Sequence, residues 1–258
     1  MLHLIDFQLE KAFVGHRPVQ HFEFVLHRRS PLAQAWRGDW TNRGRCDVWE
    51  SNLKSFEPLI LLGIALLALI VSGIQPHDRI TWILEVFPIF IGVPILWLTY
   101  RRFRLTPLLY RLIFIHALIL MVGGHYTYAQ VPLGFWVQDL FDLSRNHYDR
   151  LGHFAQGFVP AILAREILLR RSPLVAGGWL FFLVTCVCLA FSACYEFLEW
   201  WAALIGGAGA DAFLGAQGDV WDTQWDMFLA LIGAITAQLI LSRLHDRQLS
   251  DLLAEMDR

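Results

Sequence analysis

The sequence predicts an all-α fold, a polytopic membrane bundle of about six transmembrane helices with both termini cytoplasmic. Three observations carry this. Of 258 residues, 56% are hydrophobic and only 17% charged, with a mean hydropathy of +0.45, too apolar for an ordinary soluble domain. From residue 57 onward, apolar runs near the ~20 residues a spanning helix needs alternate with short polar breaks. Arginines concentrate in alternate breaks. The net charge of −2 is unremarkable, the expected partner is the lipid bilayer, and nucleic acid is not expected.

Residues 1–55 form a polar lead segment, expected to be poorly ordered. They hold eight Lys/Arg, six Asp/Glu and four His without a sustained apolar period. A signal peptide is not expected, because the first apolar run follows residue 57. Residues 56–248 are expected to be the transmembrane domain, and 249–258 a short polar tail. The four cysteines suggest no disulfide framework, since Cys186, Cys188 and Cys194 lie inside an apolar segment where Cys acts as a small hydrophobe.

The expected spans are 57–74, 80–100, 107–124, 149–170, 174–198 and 222–242. The second carries Pro88 and Pro94, which should bend it, and Glu85 near its start. The fourth is the least apolar, with Arg165 and Glu166 in its final turns. Orientation follows from counting. Arg101, Arg102, Arg104 and Arg111, then Arg165, Arg170 and Arg171, then Arg243 and Arg247 all fall on one side if six spans cross. The opposite breaks hold Asp78, Asp139, Asp142 and Asp211.

That topology places chemistry at the other end of the bundle. Asp149, His153 and Gln156 share one helical face, because side chains three and four apart stack on a helix. His147 and Arg150 stand beside them. Glu196 and Glu199 close the fifth span, and Asp219, Asp222 and Asp226 open the sixth with spacings that put them on one face. Glu85, His125 and Tyr126 belong to the same level. Ionisable groups gathered at this depth are costly unless paired, hydrated or bound to a cation.

Two solutions are open. A divalent metal, Mg²⁺, Mn²⁺ or Zn²⁺, held by Asp149, His153, Glu196, Asp222 and Asp226 would serve hydrolysis or group transfer, the same residues supplying acid and base. Arg150, His147, Gln156, Glu199 and Asp219 would then contact a lipid-linked or cell-envelope substrate. Alternatively the groups lock the bundle together, with Arg150 pairing Asp219 or Asp222, in a non-catalytic assembly or sensing protein. An ion-coupled transporter would need a polar path inward, and the other halves of the last two spans offer little beyond Thr185, Thr236 and Gln238.

Other stretches read more simply. The glycine-rich loop 206–219 lacks the Lys and Ser/Thr of a phosphate loop. VPLGFWVQDLF (131–141) has the character of an interfacial segment, and Trp200, Trp201, Trp221 and Trp225 fit an aromatic belt. His116 is expected to be packed or hydrogen-bonded, and 243–258 to form a short solvated helix.

The stretches RLTPLLYRLIFIHALILMVGGHYTYAQVPLGFW (104–136), RNHYDRLGHFAQGFVPAILAREILLRRSP (145–173) and QGDVWDTQWDM (217–227) resemble the YjdF family of bacterial inner-membrane proteins. The resemblance covers about residues 57–248 and implies a polytopic helical protein of the inner membrane, but no reaction. A looser similarity is to VanZ-like membrane proteins of the cell envelope. Their Asp-basic-x-x-His-Phe helix start is matched by Asp149, Arg150, His153 and Phe154, their later Glu by Glu196 or Glu199. Where they have a final Asp-x-x-x-Asn, this chain has Asp222 and Asp226. The reading is an inner-membrane protein with a periplasm-facing acidic and histidine pocket.

Overall fold

The computed structural model describes residues 40–206 and 216–256, with side chains from Phe56 onward. The expectations for residues 1–39 and for the glycine-rich stretch 207–215 lie outside the described residues. The chain divides into two units, Met1–Val48 and Trp49–Arg258; of the first, only the helical residues 40–48 are described, and the second carries the bundle.

The described residues form seven α-helices. They are α1 (Trp40–Ser72), α2 (Arg79–Thr99), α3 (Pro107–Tyr126), α4 (Pro132–Phe141), α5 (Tyr148–Arg171), α6 (Gly178–Gly206) and α7 (Asp222–Met256). Helix α1 starts inside the lead segment, well before the apolar run. Once an apolar stretch has nucleated a helix, adding turns costs little. Asp78 caps α2, its carboxylate accepting from the Thr81 N–H at 2.7 Å. Pro107 opens α3 at its first turn, where a missing N–H costs nothing. Asp142, with φ +51°, ends α4 in the left-handed conformation.

Helix α4 is the expected surface segment: Leu133, Trp136, Leu140 and Phe141 are exposed, while Gly134 packs against Asn146. Asn146 ties the entrance of α5 to two other segments. It donates to the Val131 carbonyl at 3.0 Å, and its own carbonyl accepts from Gln217 at 2.7 Å.

Four helices are long and apolar enough to cross a membrane: α2, α3, α6 and α7. Helix α1 adds a shorter apolar stretch, Phe56–Ser72. The six expected spans therefore divide into these four, one short one, and α5, which is too polar to qualify. The reason is where α5 sits. It packs against α3, α6 and α7, and it buries Asp149, His153, Arg165 and Glu166 against them rather than showing them to lipid. A helix surrounded by helices needs little apolar surface of its own. At ~1.5 Å per residue, Asp149 and Glu166 stand about 25 Å apart along α5, close to one hydrocarbon thickness of ~30 Å.

Contacts at the two ends fix the relative directions. The starts of α5 and α7 meet through Asp149, His153 and Asp226, and their ends meet through Glu166 and His245, so the two helices run parallel. The start of α3 meets the end of α5 through Thr106 and Glu166. The end of α3 lies at the start of α2, where the His77 N–H reaches the His125 carbonyl at 2.8 Å. Between the two polar levels lies an apolar core of Leu109, Ile162, Leu180, Val184 and Cys188 with small residues Ala161, Ala234 and Ala237.

Helix α7 continues beyond the expected span as one helix to Met256. The mixed charge of its final turns predicts a short solvated helix over 243–258, but these turns pack in part against the bundle: Leu249 and Leu252 are buried, and the Gln248 side chain accepts from the Leu108 N–H at 2.7 Å.

Candidate functional site: two buried polar networks

Helices α5 and α7 each carry ionisable side chains at both ends, and the two levels differ in one decisive respect. At the arginine-rich end the buried charges of these two helices all have partners among the described residues. Glu166, fully buried, accepts from the Thr106 hydroxyl at 2.9 Å, from Arg170 at 2.8 Å and from His245 Nε2 at 3.2 Å. Arg165 forms a two-pronged pair with Asp246 and donates to His245 Nδ1 at 2.9 Å. A guanidinium cannot accept a proton bond, so His245 Nδ1 is the acceptor and Nε2 carries the hydrogen toward Glu166. Two cations, two carboxylates and a neutral imidazole balance. This level is satisfied glue.

The other level is not. Asp149 and His153 stand one turn apart on α5, with His153 Nε2 3.4 Å from Asp149 Oδ1. Asp226 from α7 approaches the same nitrogen at 3.8 Å, and Glu196 from α6 approaches Nδ1 at 3.8 Å. One donor atom each from Asp149, His153 and Asp226 falls within 4.8 Å of the others. Glu85 of α2 and Glu199 of α6 add their carboxyl groups to this level, Glu85 buried and Glu199 half-buried. Tyr195 lies edge-on to His153 with ring centres 6.4 Å apart.

Among the described residues, three of these buried atoms have no hydrogen-bond partner: His153 Nδ1, Glu196 Oε1 and Asp226 Oδ1. The Tyr195 hydroxyl has none either. The carrying residues are 5%, 7% and 2% exposed for His153, Glu196 and Asp226, so bulk water does not satisfy them. Buried acceptors left open cost about 1–3 kcal/mol each, more when charged. The arginines that could neutralise the group are engaged at its rim. Arg145 pairs with Asp222 at 2.6 Å, and Arg150 pairs with Asp219 at 2.8 Å while stacking over Trp225 at 4.9 Å.

The structure thus brings Asp149, His153, Glu196 and Asp226 together, with Asp222 and Asp219 at the arginine-bound rim. Asp219 is not on a helix. Helix α7 begins at Asp222, and Asp219 sits in the preceding turn, where its carboxylate accepts from the Trp221 N–H at 2.9 Å. Gln156, the third member of the expected face, is half-buried. His147 precedes α5, its Nδ1 shielded and unpartnered. Sequence reasoning placed Glu85 at this level without counting it in the site, and missed Tyr195 and Arg145; an acid inside an apolar span was the available signal for Glu85.

The Trp221 N–H, and behind it Arg145 and Arg150, hold the Asp219 carboxyl below its ordinary range. A group lowered in the folded state contributes stability above its ordinary value and loses it as pH falls through the lowered one. Acidification below pH ~4 will therefore loosen the α5–α7 entrance. Asp219→Asn will flatten that part of the thermal-unfolding pH profile.

Residues 57–247 match the family described as "Predicted membrane protein (DUF2238)". The chain belongs to this family. The chain is also 59% identical over 199 residues to "Inner membrane protein YjdF" of Escherichia coli (strain K12), an alignment covering 76% of this chain and 95% of that protein. No solved structure matches. Membership in DUF2238, this relative and the four apolar helices make the chain an integral inner-membrane protein. Both polar levels lie inside the matched region, which accords with the YjdF resemblance and its boundaries.

Proposed function

We propose that this DUF2238 protein binds a divalent cation between Asp149, His153 and Asp226 and uses it in hydrolysis or group transfer on a lipid or cell-envelope precursor. The observation that carries the reading is the contrast between the two levels. One end of the same helix pair pairs its buried charges, while the other leaves convergent oxygen and nitrogen donors open among the described residues. The donor set fits. Ligands about 2.0–2.1 Å from a tetrahedral ion lie roughly 3.3 Å from one another, near the 3.4 and 3.8 Å separations around His153 Nε2. Mixed carboxylate and imidazole donors suit Zn²⁺ or Mn²⁺, and Mg²⁺ with added waters.

In this reading Glu196, with Oε1 open beside His153, takes a proton from water, and Tyr195 and Glu85 supply further polar contacts. A substrate anion reaches Arg150 by exchanging with Asp219, at a rim shared with His147, Asp222 and Glu199. The level faces the periplasm and both termini the cytoplasm, because the arginines of the helix connections gather at the opposite end. The apolar core between the levels argues against ion transport: Gln238 and Thr185 bond to each other at 3.0 Å rather than lining a path.

Metal analysis of the purified protein tests the reading. One divalent ion per chain is expected, lost on His153→Ala, Asp149→Asn or Asp226→Asn with the helical content unchanged. Protein that takes up no divalent ion even in excess overturns it.

A further inference from the structure

A second feature lies in the opposite half of the bundle. Helices α1, α2 and α3 are clamped together at one end. There the Trp82 indole donates to the Ser72 hydroxyl at 3.1 Å, His125 Nδ1 meets the Ser72 carbonyl at 2.8 Å, and Ala65, Val86, Ile89 and Met121 form a small core. Toward the arginine-rich end the three helices part around a cavity of about 890 Å³. Its walls are apolar, including Leu62, Leu96 and Phe114, and its mouth carries Arg101 and Arg102.

We propose that this cavity holds one anionic phospholipid of the bilayer, its phosphate at Arg101 and Arg102 and its acyl chains against α1, α2 and α3. Three observations support that occupant. First, the charge is complementary: both arginines are exposed and without an ion pair among the described residues, and the nearby acid, Glu57, is already bound to Arg111. Second, the depth fits. The wall runs along α3 from Tyr110 to Leu120, about 15 Å at ~1.5 Å per residue, which is half of a ~30 Å hydrocarbon core. A chain bound with its head at the arginines ends at the bilayer midplane. Third, the lining combines a cationic mouth and an apolar interior, the arrangement by which basic pockets between membrane helices select anionic lipid heads. His116, half-buried in the wall, has an Nε2 without a hydrogen-bond partner among the described residues.

The site is separate from the Asp149–His153–Asp226 group and does not rest on its function. Gly92 provides a clean perturbation, since it lines the cavity and a Cβ built there meets nothing within 4 Å. The test reconstitutes the full chain in vesicles of equal phosphatidylglycerol and phosphatidylcholine, then counts lipids retained by native mass spectrometry. The wild type is expected to keep one phosphatidylglycerol. The double variant Arg101→Gln/Arg102→Gln is expected to lose roughly 30-fold of its preference for that lipid, at about fivefold per surface arginine. Gly92→Phe is expected to retain neither lipid while unfolding at the wild-type temperature. Equal retention of the two lipids by the wild type, no retained lipid, or unchanged preference in the arginine variant would each overturn the proposal.

Discussion

In metal-free protein, Glu166→Ala will lower stability by about 3–5 kcal/mol, whereas Asp226→Asn will raise it. Both residues are buried carboxylates on the α5–α7 pair, so a bland account of buried charge predicts the same sign for both. Their surroundings differ. Removing Glu166 strands Arg170, His245 and the Thr106 hydroxyl, all of which it now holds, and breaking one member of a buried pair is costly for what it leaves behind. Removing the charge of Asp226 strands little. Its Oδ1 accepts no hydrogen bond among the described residues, His153 at 3.8 Å keeps the nearer Asp149 at 3.4 Å, and the carboxyl groups of Asp149 and Glu196 crowd Asp226. Asparagine keeps the shape and ends the repulsion.

Adding a divalent cation should then reverse the order. A ligand at 100 times its dissociation constant stabilises the folded state by about 2.7 kcal/mol, which the wild type will gain and Asp226→Asn will not. Thermal unfolding in detergent, with and without chelator, reads both effects. If Asp226→Asn destabilises the metal-free protein as Glu166→Ala does, the cluster is glue and the cation reading fails.

That contrast was only half legible in the sequence. The convergence of Asp149, His153, Glu196 and Asp226 followed from helix spacing and alternating direction, because polar residues near the ends of successive spans must share a level. The network at the other end did not follow. In one dimension Arg165 and Glu166 look like charges interrupting a span, since only Arg170, one turn beyond Glu166, offers a partner nearby in sequence. Their other partners, His245, Asp246 and Thr106, lie some 60–80 residues away. The same limit hid the roles of the two rim arginines. Spacing allowed Arg150 to pair with either Asp219 or Asp222, and only packing assigns Asp219 to Arg150 and Asp222 to Arg145. The cavity between α1, α2 and α3 has no sequence signal, because a helix facing a void and a helix facing lipid need the same apolar residues.

Gly157→Val or Gly233→Val will cost stability at or beyond the upper end of the ~1–3 kcal/mol typical of overpacked cores, and will empty the cation site without touching a ligand. A Cβ on Gly157 would lie 1.8 Å from the Ala230 carbonyl oxygen, and one on Gly233 would lie 2.1 Å from the Phe154 oxygen. Both obstacles are backbone, which cannot rotate aside as a side chain can. The two glycines set the distance between α5 and α7, as small residues do where membrane helices approach closely. Gly157 stands one turn from His153, and Gly233 two turns from Asp226. Pushing the helices apart there therefore pulls Asp226 away from His153. Gly92→Ala supplies the control, because it too adds a Cβ to a spanning helix, at a place where nothing lies within 4 Å. Unfolding temperature and bound metal should fall together in the α5–α7 variants and hold in Gly92→Ala. Retention of metal by a folded Gly157→Val protein would mean that the close crossing does not set the site's geometry.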